Sequence, residues 1–205
     1  MMFSDTYKTI ENEAKGLYKD RGSRFISIAI PVTTQEEIKS RLEELRKEYH
    51  DARHHCYAWV LSPDRQAWRV NDDGEPSGTA GKPIIGQINS RELTNILVVV
   101  IRYFGGTLLG VSGLINAYRS AASDALDNAT VTERHLTERW LVTFPYATMN
   151  DVMKVLKDES CSQSAHNYSG EEVTVEVSFR SSRSEHVKER LGKINGLTLK
   201  WVATA

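Results

Sequence analysis

The chain has 205 residues, 40% apolar and 26% charged, with 26 Lys and Arg against 27 Asp and Glu. That length allows one large domain or two small ones, and it buries a core without staples; five prolines and thirteen glycines exclude a collagen-like or low-complexity chain. The net charge of −1 carries no overall basic excess of the kind that wraps phosphate backbones.

Residues 7–32 are rich in strand signals. Arg24-Phe-Ile-Ser-Ile-Ala-Ile30 alternates apolar residues and stops at Pro31, while Gly16 and Gly22 punctuate two or three short antiparallel strands. Thr33 and Thr34 precede Glu36 and Glu37 at capping-box spacing, and Ile38, Leu42, Leu45 and Tyr49 follow on one helical face. Residues 56–61 read as a short buried strand. Residues 71–83 carry three glycines and two prolines, which keep them out of a helix or strand interior, and a short helix begins near Ile84. The run Ile96 to Ile101 is a central strand covered on both faces, broken by Phe104-Gly-Gly-Thr-Leu-Leu-Gly110. Ser112 is placed to cap a helix over 113–127.

Residues 128–137 are polar and read as a linker. Beyond it, strands at 141–144, 162–168, 173–179 and 197–202 alternate with helices marked by Met149, Val152, Met153 and Leu156 and by Val187, Leu191 and Ile194. The order is β-α-β-β-α-β, the split βαβ of ferredoxin-like domains. The expectation is therefore an α+β chain of two domains, residues 1–130 and 136–205, with a boundary near 129–136. Cys56 and Cys161 form no disulfide framework and suggest a reducing compartment. No apolar run approaches the ~20 residues that cross a bilayer, and the N-terminal stretch lacks a signal-peptide core. The reading is a cytoplasmic protein with no membrane partner.

Three segments are able to carry chemistry. In the loop from Asp72 to Pro83, glycines permit an anion nest, Lys82 is placed to contact a phosphate, and Asp72, Asp73 and Glu75 offer oxygen ligands for Mg²⁺. The spacing is not that of a P-loop, because Pro83 stands where Ser or Thr follows the lysine. A rigid turn with solvated acids is the competing reading. In the second segment, Arg102, Tyr103, Phe104, Gly105 and Gly106 end the most buried strand, where ligands often bind. Arg102 is suited to a phosphate or a base, or equally to pairing with a loop carboxylate. In the third, His50, His54, His55 and Cys56 have a zinc-compatible i, i+4 nitrogen pair, but the preceding helix ends near His50 and no second Cys/His group follows. Structural histidines fit better, with a polar role open for His54. Cys56 heads an apolar strand and reads as a buried hydrophobe rather than a nucleophile.

Ala52-Arg-His-His-Cys-Tyr-Ala58, Asp72-Asp-Gly-Glu-Pro-Ser-Gly-Thr-Ala-Gly-Lys-Pro83 and Arg102-Tyr-Phe-Gly-Gly-Thr-Leu-Leu-Gly110 closely resemble, in this order, the motif set of the IMPACT family. The resemblance implies an N-terminal domain like domain four of elongation factor G, which is also ribosomal-protein-like. It implies a ferredoxin-like C-terminal domain like domain five of the same factor. It also implies a translation-linked regulatory or binding role, non-catalytic, with ribosome, RNA or a translation-associated protein as partner. The same N-terminal fold serves small-molecule kinases, so an enzyme acting on a phosphorylated small molecule or nucleotide through the glycine-rich loop is the alternative. The binding candidates are His54, Asp72, Asp73, Glu75, Lys82, Arg102, Tyr103, Gly105 and Gly106. No cofactor is expected beyond the Mg²⁺ option at the three acids.

Overall fold

Six consecutive apolar residues from Ile96 to Ile101 have no water-facing side, so the strand they form needs a packed layer on each face. The computed structural model, which describes residues 5–204, supplies both layers. In chain order the elements are β1 (Thr6–Ile10), β2 (Ala14–Asp20), β3 (Ser23–Pro31), α1 (Gln35–Glu48), β4 (His54–Leu61), β5 (Ala67–Asn71), α2 (Gly81–Ser90), β6 (Ile96–Tyr103), α3 (Gly110–Asp127) and β7 (Val131–His135). They continue with β8 (Thr137–Pro145), α4 (Met149–Asp158), β9 (Ser162–Ser169), β10 (Glu172–Arg180), α5 (Ser184–Gly192) and β11 (Thr198–Thr204). The chain divides into one unit of residues 7–134 and a second of residues 135–204 joined by Asp5 and Thr6.

In the first unit β2-β3-β6-β4-β5 form one sheet whose neighbours are all antiparallel. Side chains alternate across it with period two. Ile96, Val98 and Val100 of β6 join a core with α2 and α3. Leu97, Val99 and Ile101 join a second core under α1, through Ile38 and Leu45. The start of α1 follows the sequence closely. Thr34 Oγ1 accepts from Glu37 N–H at 3.1 Å, and the Glu37 carboxylate accepts from the Thr34 N–H at 3.4 Å and the Thr33 N–H at 2.6 Å.

Four local expectations change. Ala67–Asn71 is an additional strand between the segment read as a strand and the glycine-rich loop; it is an edge strand, held by cross-strand pairing to β4 more than by its own apolar content. The helix after the glycine-rich loop starts at Gly81, so Lys82 and Pro83 lie in its first turn, where proline removes no intrahelical bond. Helix α3 begins at Gly110, three residues before the predicted start, and Ser112 falls inside its first turn instead of capping it. The polar stretch read as a linker contains β7, which pairs with β1 in a two-stranded sheet.

The second unit follows β-α-β-β-α-β with sheet order β11-β8-β10-β9, all neighbours antiparallel, a ferredoxin-like topology. Val142, Phe144, Val175 and Val177 pack under α4 and α5 on one face. Asp5 belongs to this unit. Its carboxylate accepts from Arg180 Nε and Nη2 at 3.1 and 2.9 Å, and its carbonyl accepts from Leu136 N–H at 2.6 Å.

Candidate functional site

The alternation that sorts the two cores also selects what stands at the end of the sheet. Arg102 follows Val98 and Val100 on the α2/α3 face of β6. Its cross-strand neighbours are Phe25 on β3 and His54 on β4. A guanidinium is thus placed where the pattern calls for an apolar side chain, and it is buried. Its charge is met by Glu75, which arrives from the loop after β5. Arg102 Nη1 donates to Glu75 Oε1 at 2.6 Å. The guanidinium carbon lies 5.4 Å from the Phe25 ring centre and 5.6 Å from that of Phe104, within cation–π range.

Tyr118 of α3 donates its hydroxyl to the same Glu75 oxygen at 2.8 Å. Cys56 Sγ lies 3.3 Å from that hydroxyl and 3.0 Å from the Asp72 carbonyl, to which its S–H donates. Burial pushes the Cys56 thiol well up, the nearby acids add to this, and the Tyr118 bond offsets only part of it. Burial likewise raises the Tyr118 phenol, with Cys56 and Glu75 adding to the shift. Both groups stay protonated at neutral pH, so Cys56 is not an activated thiolate.

The glycine-rich loop is built around Asp72. Its carboxylate accepts from the N–H groups of Gly78, Ala80 and Gly81 at 2.8, 3.0 and 2.8 Å. These are the loop and helix-start donors that a phosphate uses elsewhere; here the chain's own acid fills the nest. Desolvation pushes the Asp72 carboxyl upward, but those donors and the Lys82 charge outweigh it and hold the group below its usual range. Asp73, at φ +40°, ties three elements together. Its carboxylate accepts from His55 N–H at 2.7 Å and meets Arg46 Nη2 at 3.3 Å. Its carbonyl accepts from His54 Nδ1 at 2.8 Å, which leaves His54 Nε2 toward Glu75, 3.9 Å from Oε1.

The Mg²⁺ option is therefore corrected. Asp72 is saturated by backbone donors, Asp73 braces β4 and α1, and Glu75 is paired with Arg102. Among the described residues no three His, Cys, Asp or Glu side chains converge as a ligand set.

Above the Arg102–Glu75 pair opens a cleft of about 390 Å³. His54, Glu75 and Arg102 line its polar side; Phe104, Val111 and Leu114 line its apolar side. Leu108, which also borders it, is 82% exposed. The structure thus brings His54, Asp73, Glu75 and Arg102 together and separates two other candidates from them. Tyr103, one residue beyond Arg102, points to the opposite face, where its hydroxyl donates to Asp51 at 2.8 Å. Lys82 is exposed on α2, lies along Gly78 and does not border the cleft. Gly105 seats the turn against Gly22 and donates its N–H to Ser23 Oγ at 3.1 Å, and Gly106 turns the chain at φ +86°. Tyr118 and Leu114 are legible in the sequence only as apolar positions of a helix, and Val111 precedes the expected helix start at 113. Arg53, exposed at the mouth, carried no signal beyond its place in the first motif.

Residues 21–126, which hold all of this geometry, match the family model of the Impact N-terminal domain. The chain belongs to the IMPACT family. It is 33% identical over 153 residues to the IMPACT family member YvyE of Bacillus subtilis (strain 168), covering 75% of this chain and 70% of that one. It is 38% identical over 136 residues to the IMPACT family member YigZ of Escherichia coli (strain K12), covering 65% and 67%. A crystal structure described as that of a hypothetical protein superposes with a TM-score of 0.75 at 28% identity, covering 98% of this chain and 99% of that one. No helix among the described residues is long and apolar enough to cross a membrane.

Proposed function

We propose that this chain is a translation-linked binding protein that associates with ribosome or RNA through the cleft of its N-terminal unit and catalyses no reaction there. In this reading the two units are similar to domains four and five of elongation factor G. The observation that carries the proposal is the state of the polar groups that line the cleft or are hydrogen-bonded to its lining. Asp72 is spent on the loop, Cys56 and Tyr118 are held protonated, and Arg102 and Glu75 pair with each other. Such a floor recognises a partner without offering a nucleophile. Its surroundings favour a partner as well: Phe104, Leu108 and Val111 stay exposed within one eight-residue stretch, where a monomer gains nothing from them.

Co-sedimentation with ribosomes tests the proposal. The chain is expected in the ribosomal pellet at low salt and to be released as salt rises. Leu108→Asp combined with Arg53→Glu, both at exposed positions, is expected to reduce the pelleted fraction. A chain that stays in the supernatant at low salt, or a variant that pellets like the parent, overturns it.

A further inference from the structure

The cleft floor is charged but neutral in sum, and this decides what fits it. Arg102 Nη1 and Glu75 Oε1 are consumed by each other and by Tyr118. Arg102 Nη2 and Glu75 Oε2 carry no hydrogen bond among the described residues, and both residues line the cleft. One is a donor and the other an acceptor. Beside them His54 Nε2 has no hydrogen-bond partner closer than the 3.9 Å to Glu75. A phosphate or carboxylate at this floor would lie against the Glu75 carboxylate, and a cation would lie against Arg102. The floor suits an uncharged group that presents a donor next to an acceptor.

The walls narrow the choice further. Phe104, Val111 and Leu114 give the cleft apolar lining against which a flat ring packs. A side-chain amide has the donor–acceptor edge but leaves that wall uncovered. A nucleobase has both, because each base carries adjacent donor and acceptor atoms on its pairing edge and an apolar face. Arg53 stands exposed at the mouth, where the phosphate of the same nucleotide would emerge.

We infer that the cleft takes an unpaired nucleobase, its pairing edge on the Arg102–Glu75 pair and its face against the Phe104 and Val111 wall. The inference rests on the RNA-association reading above and deepens it. The base is unpaired because its pairing-edge atoms, which the Arg102–Glu75 pair would contact, are those a duplex hides.

Fluorescence anisotropy of the full chain with a short labelled single-stranded RNA, and with the same strand annealed to its complement, tests the inference. Mixed nucleoside monophosphates serve as competitors. Single strand is expected to bind better than duplex, and Val111→Asp and Phe104→Ala are each expected to weaken single-strand binding about tenfold. Both positions are exposed, and unchanged melting curves show that the variants are folded. Leu108→Gln, at the most exposed of these positions, gives a second reading if either variant melts early. A purine analogue whose emission reports unstacking is expected to change on binding the parent and not the variants. Competition by monophosphates that the variants abolish also supports base binding, with a free nucleotide as its source. Binding that is equal for duplex and single strand, or unchanged in all three variants, overturns the base inference and leaves ribosome association standing. Ribosome co-sedimentation without binding of either RNA or monophosphates overturns it too, and assigns the cleft to a protein partner.

Discussion

Arg102 and Glu75 meet at 2.6 Å with side-chain exposures of 7% and 3%, so each is the other's ion-pair partner in a buried position. Removing one member strands the second as a buried unpaired charge, which typically costs about 3–5 kcal/mol. Arg102→Ala is expected to destabilise the N-terminal unit by that order in urea unfolding. Replacing both partners together by apolar side chains of similar size is expected to restore much of the loss. Lys82→Ala, at an exposed position, is expected to move stability by less than about 0.5 kcal/mol. Equal effects of the two alanine substitutions would refute the buried-pair account.

Asp72 holds three N–H donors at once. Asp72→Ala is expected to cost roughly 2 kcal/mol or more, above a single lost helix cap. Asp72→Asn keeps an acceptor oxygen and is expected to cost less. Amide exchange of Gly78, Ala80 and Gly81 locates the effect: their protection is expected to fall first.

Acid is expected to weaken this unit in two stages. Burial keeps His55 below its usual range, although the Asp73 charge pulls the other way. The folded chain therefore binds its proton later than the unfolded one. The associated stability is full above about pH 6.5 and declines as pH falls through the folded value. The Asp72 carboxyl is held low by its N–H donors and Lys82, against desolvation. Its contribution is full above about pH 3.9 and is lost below that, as pH falls through the folded value. Unfolding free energy measured against pH is expected to show both declines. His55→Gln is expected to flatten the first and Asp72→Asn the second.

Gly105 has backbone where a side chain would begin. A Cβ added there would lie 1.9 Å from the Gly22 carbonyl carbon and 2.1 Å from Ser23 N. These are backbone atoms that cannot swing aside. Gly105→Ala is expected to push the 104–110 turn off the β2–β3 hairpin and to lower the melting temperature. Gly106→Ala, with nothing within 4 Å but φ +86°, is expected to cost only its backbone strain, about 1 kcal/mol. A larger loss at Gly106 than at Gly105 would refute this packing.

Features that depend on neighbours along the chain are legible in the residues alone. The capping box at Thr34 and Glu37, the apolar run of β6 and the β-α-β-β-α-β order are written in local periodicity, and the structure has all three. The three motifs that mark the family are likewise contiguous stretches of sequence. The fate of each polar side chain was decided only by tertiary structure. Asp72, Asp73 and Glu75 look alike in a row of loop acids, yet one fills a nest, one braces two elements and one neutralises a buried arginine. Arg102 and Tyr103 are adjacent in sequence and end on opposite faces, because a strand alternates its side chains. Tyr118 was readable as one more apolar position of a helix, while its hydroxyl found Glu75 from 43 residues away. A charge or hydroxyl is read by what it meets across space, and that partner has no fixed spacing in the chain.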